Sequence, residues 1–303
     1  MNEPANPITW NPNEFLWDFV RNIPFLSVHL ACLLAFVCGF SWWAVGLCVL
    51  LYAVRMFGIT AGFHRYFSHR SYSTSRVFQF LIALLGTSAA QRGPLWWAAH
   101  HRHHHRHSDT ELDTHSPVKH GFIWSHIGWT ISRHSSPTNY KAVRDLMKFP
   151  ELVFLNRFHL LAPMILAISV FLLGWYLGNA YPESGINGFQ FLIWGFFIST
   201  VLLYHGTFTI NSLCHVIGSK RFQTNDESRN NLLLALITLG EGWHNNHHRY
   251  PSSERQGFYW WEIDLTHVAL RLLSLIGIVW DLRTPPKHIY DEAENNSNKI
   301  AAL

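Results

Sequence analysis

The chain has 303 residues, of which 49% are apolar, 15% aromatic and only 14% charged. An ordinary soluble domain carries about 25% charged residues, so this composition favours a membrane protein. The formal net charge of +4 is too small to indicate a nucleic-acid-binding protein. The four cysteines show no C-x-x-C spacing, which argues against disulfides and against a thiolate metal site. Histidine is unusually frequent, with 21 residues against 23 Lys and Arg together.

Long uncharged stretches predict four transmembrane helices arranged as two hairpins. Their approximate ranges are 23–40, 42–60, 153–178 and 188–214. The turns within the hairpins, around 39–42 and 179–187, contain no Lys or Arg, whereas 59–150 carries eleven and the segment after 215 carries nine. Because Lys and Arg are retained on the cytoplasmic side, we expect both termini and both large polar segments to face the cytosol.

These boundaries predict an all-α integral membrane protein with three parts. Residues 1–22 are expected to form an N-terminal cytosolic segment, and 23–285 a membrane domain. A cytosolic helical cap, made of 61–152 and 215–285, would hold a histidine-rich site for two metal ions. Residues 286–303, which end in DEAENNSNKIAAL, are polar and are predicted to be a disordered tail.

Several histidines have the spacing of ligands that share one helix face. Positions i, i+3 and i+4 of a helix lie on the same side. His244, His247 and His248 therefore present three imidazoles together, and the element Asn211-x3-His215 (211–215) has the i, i+4 spacing. The pair at 64 and 69 is about 140° apart on an ideal helix, so it converges only where the helix ends or is distorted.

The tract HHRHHHRH (100–107) contains the pattern H-x-x-H-H twice. The two sets are His100/His103/His104 and His101/His104/His105, and helical geometry does not choose between them. Neutral imidazole suits Zn, Cu, Fe and Ni. The clusters together hold more histidines than one metal ion can bind, so the sequence favours a site for two metal ions.

Other classes of histidine-rich membrane protein make different predictions. A haem needs only two axial ligands, and a b-type cytochrome would place histidine pairs opposite each other inside the bilayer. A metal transporter or metal-binding membrane protein would carry polar ligands within the spans. Here the candidate ligands cluster at the cytosolic ends of the predicted spans.

Four stretches resemble the membrane-bound fatty acid desaturases. They are GITAGFHRYFSH (58–69), WWAAHHRHHHRHSDT (96–110), NSLCH (211–215) and EGWHNNHHRYP (241–251). The likeness covers about residues 45–282 and is greatest to the stearoyl-CoA-type delta-9 acyl desaturases, in a bacterial-like form. Three histidine boxes, H-x4-H, H-x-x-H-H and H-x-x-H-H, together with N-x3-H make this pattern highly specific.

The resemblance implies a ligand set for two iron ions. Aligning Arg102 and Ser108-Asp109 with the family's second box selects the later of the two sets in the tract, so that His100, His103 and His107 become neighbours. The implied ligands are His64, His69, His101, His104, His105, His215, His244, His247 and His248, with Asn211 binding through a water molecule. The resemblance implies no catalytic residue beyond the metal ligands.

The activity implied by the resemblance is an oxidoreductase reaction of fatty acid biosynthesis. A cis double bond, at the delta-9 position, would be introduced into a saturated long-chain acyl group carried by CoA or by a lipid. The cofactors would be two Fe ions (Fe2+/Fe3+), with O2 as co-substrate. Two electrons would come from a separate donor such as ferredoxin, cytochrome b5 or a flavin reductase. A hydroxylase of acyl chains or alkanes on the same scaffold is the alternative, and the location would be a bacterial inner membrane.

The resemblance also implies roles for residues around the iron ions. Asp109, Asp113 and Glu241 would accept hydrogen bonds from ligand histidines and orient them. Four further residues would line the substrate tunnel: Trp97 and Thr207 at its bend, Tyr52 and Met56 at its closed end. Met56 replaces a smaller residue of some relatives, so we predict a shorter tunnel and a preference for C16 over longer chains.

Overall fold

The computed structural model describes residues 12–301, and its architecture is almost entirely helical. The longer helices are α1 (Pro12–Ala31), α2 (Trp42–Ser68), α3 (Arg76–Ser88), α4 (Pro94–His107), α5 (Pro150–Arg157), α6 (Leu161–Ala180), α7 (Gly188–His215), α8 (Leu232–Ile237), α9 (His244–Arg249), α10 (Leu265–Leu275) and α11 (Lys287–Ala301). Short turns of helix cover Cys32–Leu34, Ala35–Cys38, Pro117–His120, Trp124–Gly128, Trp129–Ile131, Arg133–Ser135, Tyr140–Val143 and Pro182–Ser184. Two strands, β1 (Ser73–Thr74) and β2 (Val279–Trp280), pair antiparallel with Ser73 opposite Trp280.

Three helices of the described residues are long and apolar enough to cross a membrane: α2, α6 and α7. Their predicted ranges were 42–60, 153–178 and 188–214. A further apolar helical stretch, Asn22–Cys38, falls where the first span was predicted, but it is shorter. The four-span arrangement in two hairpins therefore stays a prediction.

The span predicted over 153–178 is interrupted in the structure. Helix α5 ends at Arg157, and α6 begins only at Leu161. Pro163 gives the physical reason, since it has no N–H to donate to the carbonyl of His159 and its ring would clash there. Proline is tolerated in the first turn of a helix but removes a hydrogen bond further inside one, and the structure has two helices where the sequence predicted a single span over 153–178.

Glycine allows α6 and α7 to pack closely. A Cβ added at Gly174 would lie 2.6 Å from Cβ of Phe191 and 2.8 Å from the carbonyl oxygen of Asn187. The two helices, joined by the turn at 181–187, therefore approach each other nearly backbone to backbone. Apolar side chains on the outer faces remain exposed, for example Phe36 at 90% and Trp42 at 78%, as expected where lipid rather than water covers the surface.

The charged side chain of Arg55 is buried where α2 packs against α7. Arg55 of α2 is 1% exposed, and its guanidinium donates to Thr200 Oγ1 at 2.7 Å and to Ser199 Oγ at 2.5 Å, both on α7. Its Nε donates to the carbonyl oxygen of Leu51 at 3.1 Å. These hydrogen bonds replace water around the charge and fix α2 against α7.

The end of the chain differs from its prediction. Residues 286–303 were predicted to be disordered, whereas Lys287–Ala301 form α11. Ile289 and Ala293 are buried there against Phe222 and Phe258, and the Arg249 guanidinium binds the Glu292 carboxylate with Nε–Oε distances of 3.0 Å. The low hydrophobicity of the segment suggested disorder, but two apolar residues one helical turn apart suffice to attach it to the cap.

Candidate metal centre

Nine histidines converge into two adjoining groups. Within each group, one ring nitrogen from every residue lies within 4.8 Å of those from the others. Group A consists of His64, His69, His101, His105 and His247. Group B consists of His104, His215, His244 and His248. The residues come from α2, α4, α7 and α9 and from the residue after α2, so segments far apart in the chain build one centre.

A change of helix type explains how His64 and His69 meet. Residues Gly58–Ser68 of α2 form a π-helix, in which N–H groups bond to carbonyls five residues back. The N–H of His69 donates to the carbonyl oxygen of His64 at 3.3 Å, and their ring centroids are 4.9 Å apart. This widened turn is the helix distortion that the H-x4-H spacing required.

The histidines of the second histidine box reach the metal centre from one face of α4. Helix α4 begins with Pro94 at its first position, and the Asn156 side chain accepts the N–H of Trp96 at 2.8 Å. With the helix so oriented, His101, His104 and His105 belong to the two groups. The other histidines of the tract bond elsewhere: His100 to the carbonyl oxygen of Trp96 at 2.9 Å, and His103 to that of Leu112 at 2.8 Å.

Helices α7 and α9 supply the remaining ligand candidates. His244 begins α9, so that helix presents three histidines to the centre from one side. His215 ends α7, and Asn211 lies one turn earlier, where its carbonyl oxygen accepts the Ser125 hydroxyl at 2.9 Å. Asn211 also lines the large cavity described below.

Carboxylates hold the outer nitrogens of several of these histidines. Nδ1 of His104 lies 3.0 Å from Asp113 Oδ2, and Nδ1 of His215 lies 2.8 Å from Asp109 Oδ2. Nδ1 of His64 contacts the Glu241 carboxylate, which is also bound by the buried Arg65. All three carboxylates predicted to orient ligands therefore contact a histidine.

A fourth carboxylate was missed by the sequence analysis. Asp226 Oδ2 lies 2.7 Å from Nδ1 of His248, and both side chains are nearly buried. Its other oxygen accepts the Ser228 backbone N–H at 3.0 Å and the Thr224 hydroxyl at 2.9 Å. Asp226 lies in an irregular loop before α8, with no spacing relation to a histidine box, so nothing in the sequence pattern indicated it.

Burial and mutual repulsion keep most of these imidazoles neutral. Burial, aided by the neighbouring histidines, lowers the pKa of His69, His101, His105, His244 and His247 well below its ordinary value. For Asp113, burial alone would raise the pKa, but the facing His104 and His115 lower it well below its usual range. Neutral imidazoles beside ionised carboxylates are the protonation states that metal binding requires.

The inward-facing nitrogens fit metal ions. Nε2 of His69 lies 2.8 Å from that of His101, and Nε2 of His215 lies 3.1 Å from that of His244. The Asp226 carboxylate holds the proton on Nδ1 of His248, which leaves the lone pair on Nε2, and this buried nitrogen has no hydrogen-bond partner among the described residues. A cation beside Nε2 of His248 would satisfy this lone pair. Each group also offers only nitrogen donors, as iron, zinc and copper sites do.

A large open cavity of about 680 Å³ adjoins group A. Trp97 and Thr207, two of the predicted tunnel residues, line it together with His101. Thr207 accepts a hydrogen bond from Gln91 at 2.9 Å, and Trp97 stacks on His101 with centroids 5.0 Å apart.

The other two predicted tunnel residues are not among those lining this cavity. Tyr52 donates its hydroxyl to the carbonyl oxygen of Ile237 at 2.6 Å. Both Tyr52 and Met56 pack on Gly206, the residue before Thr207. Met56 is completely buried in this position. They therefore lie beside the helix turn that carries Thr207, and their role at a closed end stays a prediction.

Comparison with known proteins gives a consistent match over most of the chain. The fatty acid desaturase family model matches residues 40–274. The sn-1 stearoyl-lipid 9-desaturase of Anabaena variabilis is 38% identical over 273 residues, covering 89% of this chain and 95% of that protein. The protein of the same description from Synechocystis sp. is 41% identical, covering 87% and 79%. The acyl-CoA C20 Delta5-desaturase of Anemone leveillei is 35% identical, covering 93% and 87%.

Proposed function

Because the chain belongs to the fatty acid desaturase family, we propose that it introduces a cis double bond at the delta-9 position of a saturated long-chain acyl group. The delta-9 position is supported by two relatives whose descriptions name a stearoyl-lipid 9-desaturase. The observation that carries the proposal is the meeting of the two histidine groups with an apolar cavity at His101. Membership of this family also argues against the cytochrome and metal-transport alternatives.

We propose that groups A and B each hold one iron ion. Asn211, one turn before His215 on α7, would take part through a water molecule. When bound, the two ions supply the strong oxidant needed to remove hydrogen from unactivated methylene groups, with O2 as co-substrate. The four carboxylates that contact Nδ1 atoms keep the imidazole rings in one orientation and one tautomer.

The chain's own residues position the acyl group. The cavity lining is mainly apolar, so an extended hydrocarbon can displace water from it. Trp97 and Thr207 flank the point where the cavity reaches His101, and the Gln91–Thr207 hydrogen bond fixes the width of the passage there. A methylene pair held at this point is kept in one orientation, which is how a desaturase selects one carbon–carbon bond.

We further propose the arrangement in the membrane that charge placement predicts. Four spans would cross a bacterial inner membrane in two hairpins, with the histidine groups and both termini in the cytosol. The apolar stretch Asn22–Cys38 supports the additional span, and the excess of Lys and Arg in the polar segments supports the orientation. A separate cytosolic protein, such as a ferredoxin, cytochrome b5 or flavin reductase, would deliver the electrons.

Growth of a strain that requires unsaturated fatty acids tests the proposal. Expression of the chain should restore growth, and mass spectrometry should locate the new double bond between C9 and C10. The variant His244→Ala, in group B, should not restore growth, whereas His103→Ala, outside both groups, should. Equal growth with both variants, or an accumulated hydroxy acid in place of the alkene, would contradict the proposal.

A further inference from the structure

The cavity connects the proposed iron centre with the lipid-facing surface. At its inner end it is lined by His101 and Trp97. At its outer end it is lined by three exposed residues: Pro24 of α1, Leu160 just before α6, and Met164 in the first turn of α6. Met164 is 59% exposed. A continuous passage therefore runs from the side of the protein to group A.

The outer end lies between two helices whose neighbouring residues face lipid. Both α1 and α6 pack against α7, and α7 contributes Phe196 and Phe197 to the cavity wall. Beside the opening, apolar side chains of both helices are exposed, including Ile23 at 44% and Ile165 at 54%. Hydrocarbon rather than water is therefore the natural surrounding of this opening.

Polar residues line the cavity at its inner end, where His101 and Thr207 lie, and again close to its opening. Asn22, His159 and Arg92 lie near the ends of the apolar helices, where lipid headgroups begin. The Arg92 guanidinium stacks over the Trp96 ring at 5.0 Å and donates to Ser136 Oγ at 3.3 Å. Among the cavity-lining residues in the described part of the chain, Arg92 is the one Lys or Arg.

We propose that the acyl group reaches the centre while still attached to a membrane phospholipid, passing sideways between α1 and α6. This inference rests on the proposed desaturase function and names its acyl carrier. The lipid phosphate would bind at Arg92, and the acyl chain would extend along the apolar wall to Trp97 and His101. Acyl-CoA fits less well, because its pyrophosphate and additional phosphate would find a single cation, Arg92, in the cavity wall.

Photocrosslinking tests this route without requiring enzyme turnover. The probe is a phosphatidylglycerol whose stearoyl chain carries a mid-chain diazirine, mixed into nanodiscs that hold the full chain. The expected adducts are on Trp97 and its neighbours at the inner end. Adducts confined to outward-facing residues of α6 would overturn the proposal.

Two matched variants on α6 show whether the opening is used. Ala167 lines the cavity, so Ala167→Trp should narrow the passage and reduce inner adducts by about tenfold. Ile168, its neighbour, is 57% exposed and does not line the cavity, so Ile168→Trp should leave them unchanged. Val28→Trp on the opposite wall repeats the test if Ala167→Trp does not fold. Equal adduct yields from the blocking variant and the wild type would contradict the route.

A second probe distinguishes the carriers. The same diazirine chain on CoA should give few inner adducts, and an excess of CoA should not compete with the phospholipid probe. Inner adducts from the CoA probe that survive Ala167→Trp would show that the substrate comes from the cytosol, against the proposal. A different pair of results would separate the route from the function. If the phospholipid probe gave inner adducts but iron-loaded, reduced protein formed no double bond, the desaturase function would be disproved and the route would stand.

Discussion

Replacing Asp226 by Asn should weaken metal binding in group B alone. The Asp226 carboxylate receives Nδ1–H of His248 at 2.7 Å and is fixed by Ser228 and Thr224. Asn keeps the size and one acceptor oxygen but removes the negative charge. The proton on Nδ1 of His248 then becomes less firmly held, and Nε2 becomes a weaker donor to a metal ion.

The expected magnitude follows from the burial of this pair. The His248 side chain is 2% exposed and that of Asp226 9%, so water screens the interaction little. Loss of a carboxylate that orients a ligand histidine typically costs about 10- to 100-fold in metal affinity, which is about 1.4–2.7 kcal/mol. Group A contains no contact with Asp226, so its affinity should not change.

Chelator competition with Fe2+ measures this difference. The purified wild type should release two iron ions per chain over similar chelator concentrations, and Asp226→Asn should release one of them much earlier. Glu227→Gln is the matched control, because the Glu227 side chain pairs with Lys220 and Arg229 rather than with a histidine. If Asp226→Asn and Glu227→Gln gave the same release curve, the orienting role argued from the 2.7 Å contact would be refuted.

Three further substitutions have expected outcomes. His101→Ala should abolish desaturation, measured by product analysis. His100→Ala removes a ring that is hydrogen-bonded to a backbone carbonyl, and this variant should retain much of the activity. The opposite result would reverse the choice of histidines on α4. Met56→Ala should open space beside Gly206 and raise the C18/C16 product ratio, and an unchanged ratio would count against a role in chain length. Gly58→Ala should lower stability by about 1–3 kcal/mol in thermal unfolding, since the new Cβ would lie 2.7 Å from the N of Gly86. Gly46 lies in the same helix, and a Cβ added there has no atom within 4 Å, so Gly46→Ala should leave stability unchanged or raise it. An equal loss of stability in the two glycine variants would argue against the close packing of α2 on α3.

The resemblance to the desaturases indicated which histidines form the centre, whereas helical periodicity supplied only part of its geometry. The i, i+3, i+4 rule correctly grouped His244, His247 and His248 on α9. For His64 and His69 the same rule required a helix end or a distortion, and the π-helix over 58–68 supplies it, although no residue type there marks the change. On α4 both candidate sets satisfied the rule, and only packing of the helix against its neighbours separates them.

Long-range contacts account for the remaining differences. Asp226 reaches His248 through the path of an irregular loop, which no local pattern specifies. The C-terminal helix is stabilised by burial of Ile289 and Ala293 against segments distant in sequence, so its polar composition was misleading. The break before α6 could have been predicted, since Pro163 is visible in the sequence and restricts the preceding turn.

The fate of a deuterium-labelled acyl chain tests the central claim most directly. Purified protein loaded with Fe2+ is reconstituted in membranes with an electron donor, O2 and a stearoyl lipid labelled at C9 and C10. The account predicts an alkene between C9 and C10 that has lost one deuterium from each carbon, formed only when iron is supplied. A product that retains a new oxygen atom, or the same alkene from iron-free protein, would contradict it.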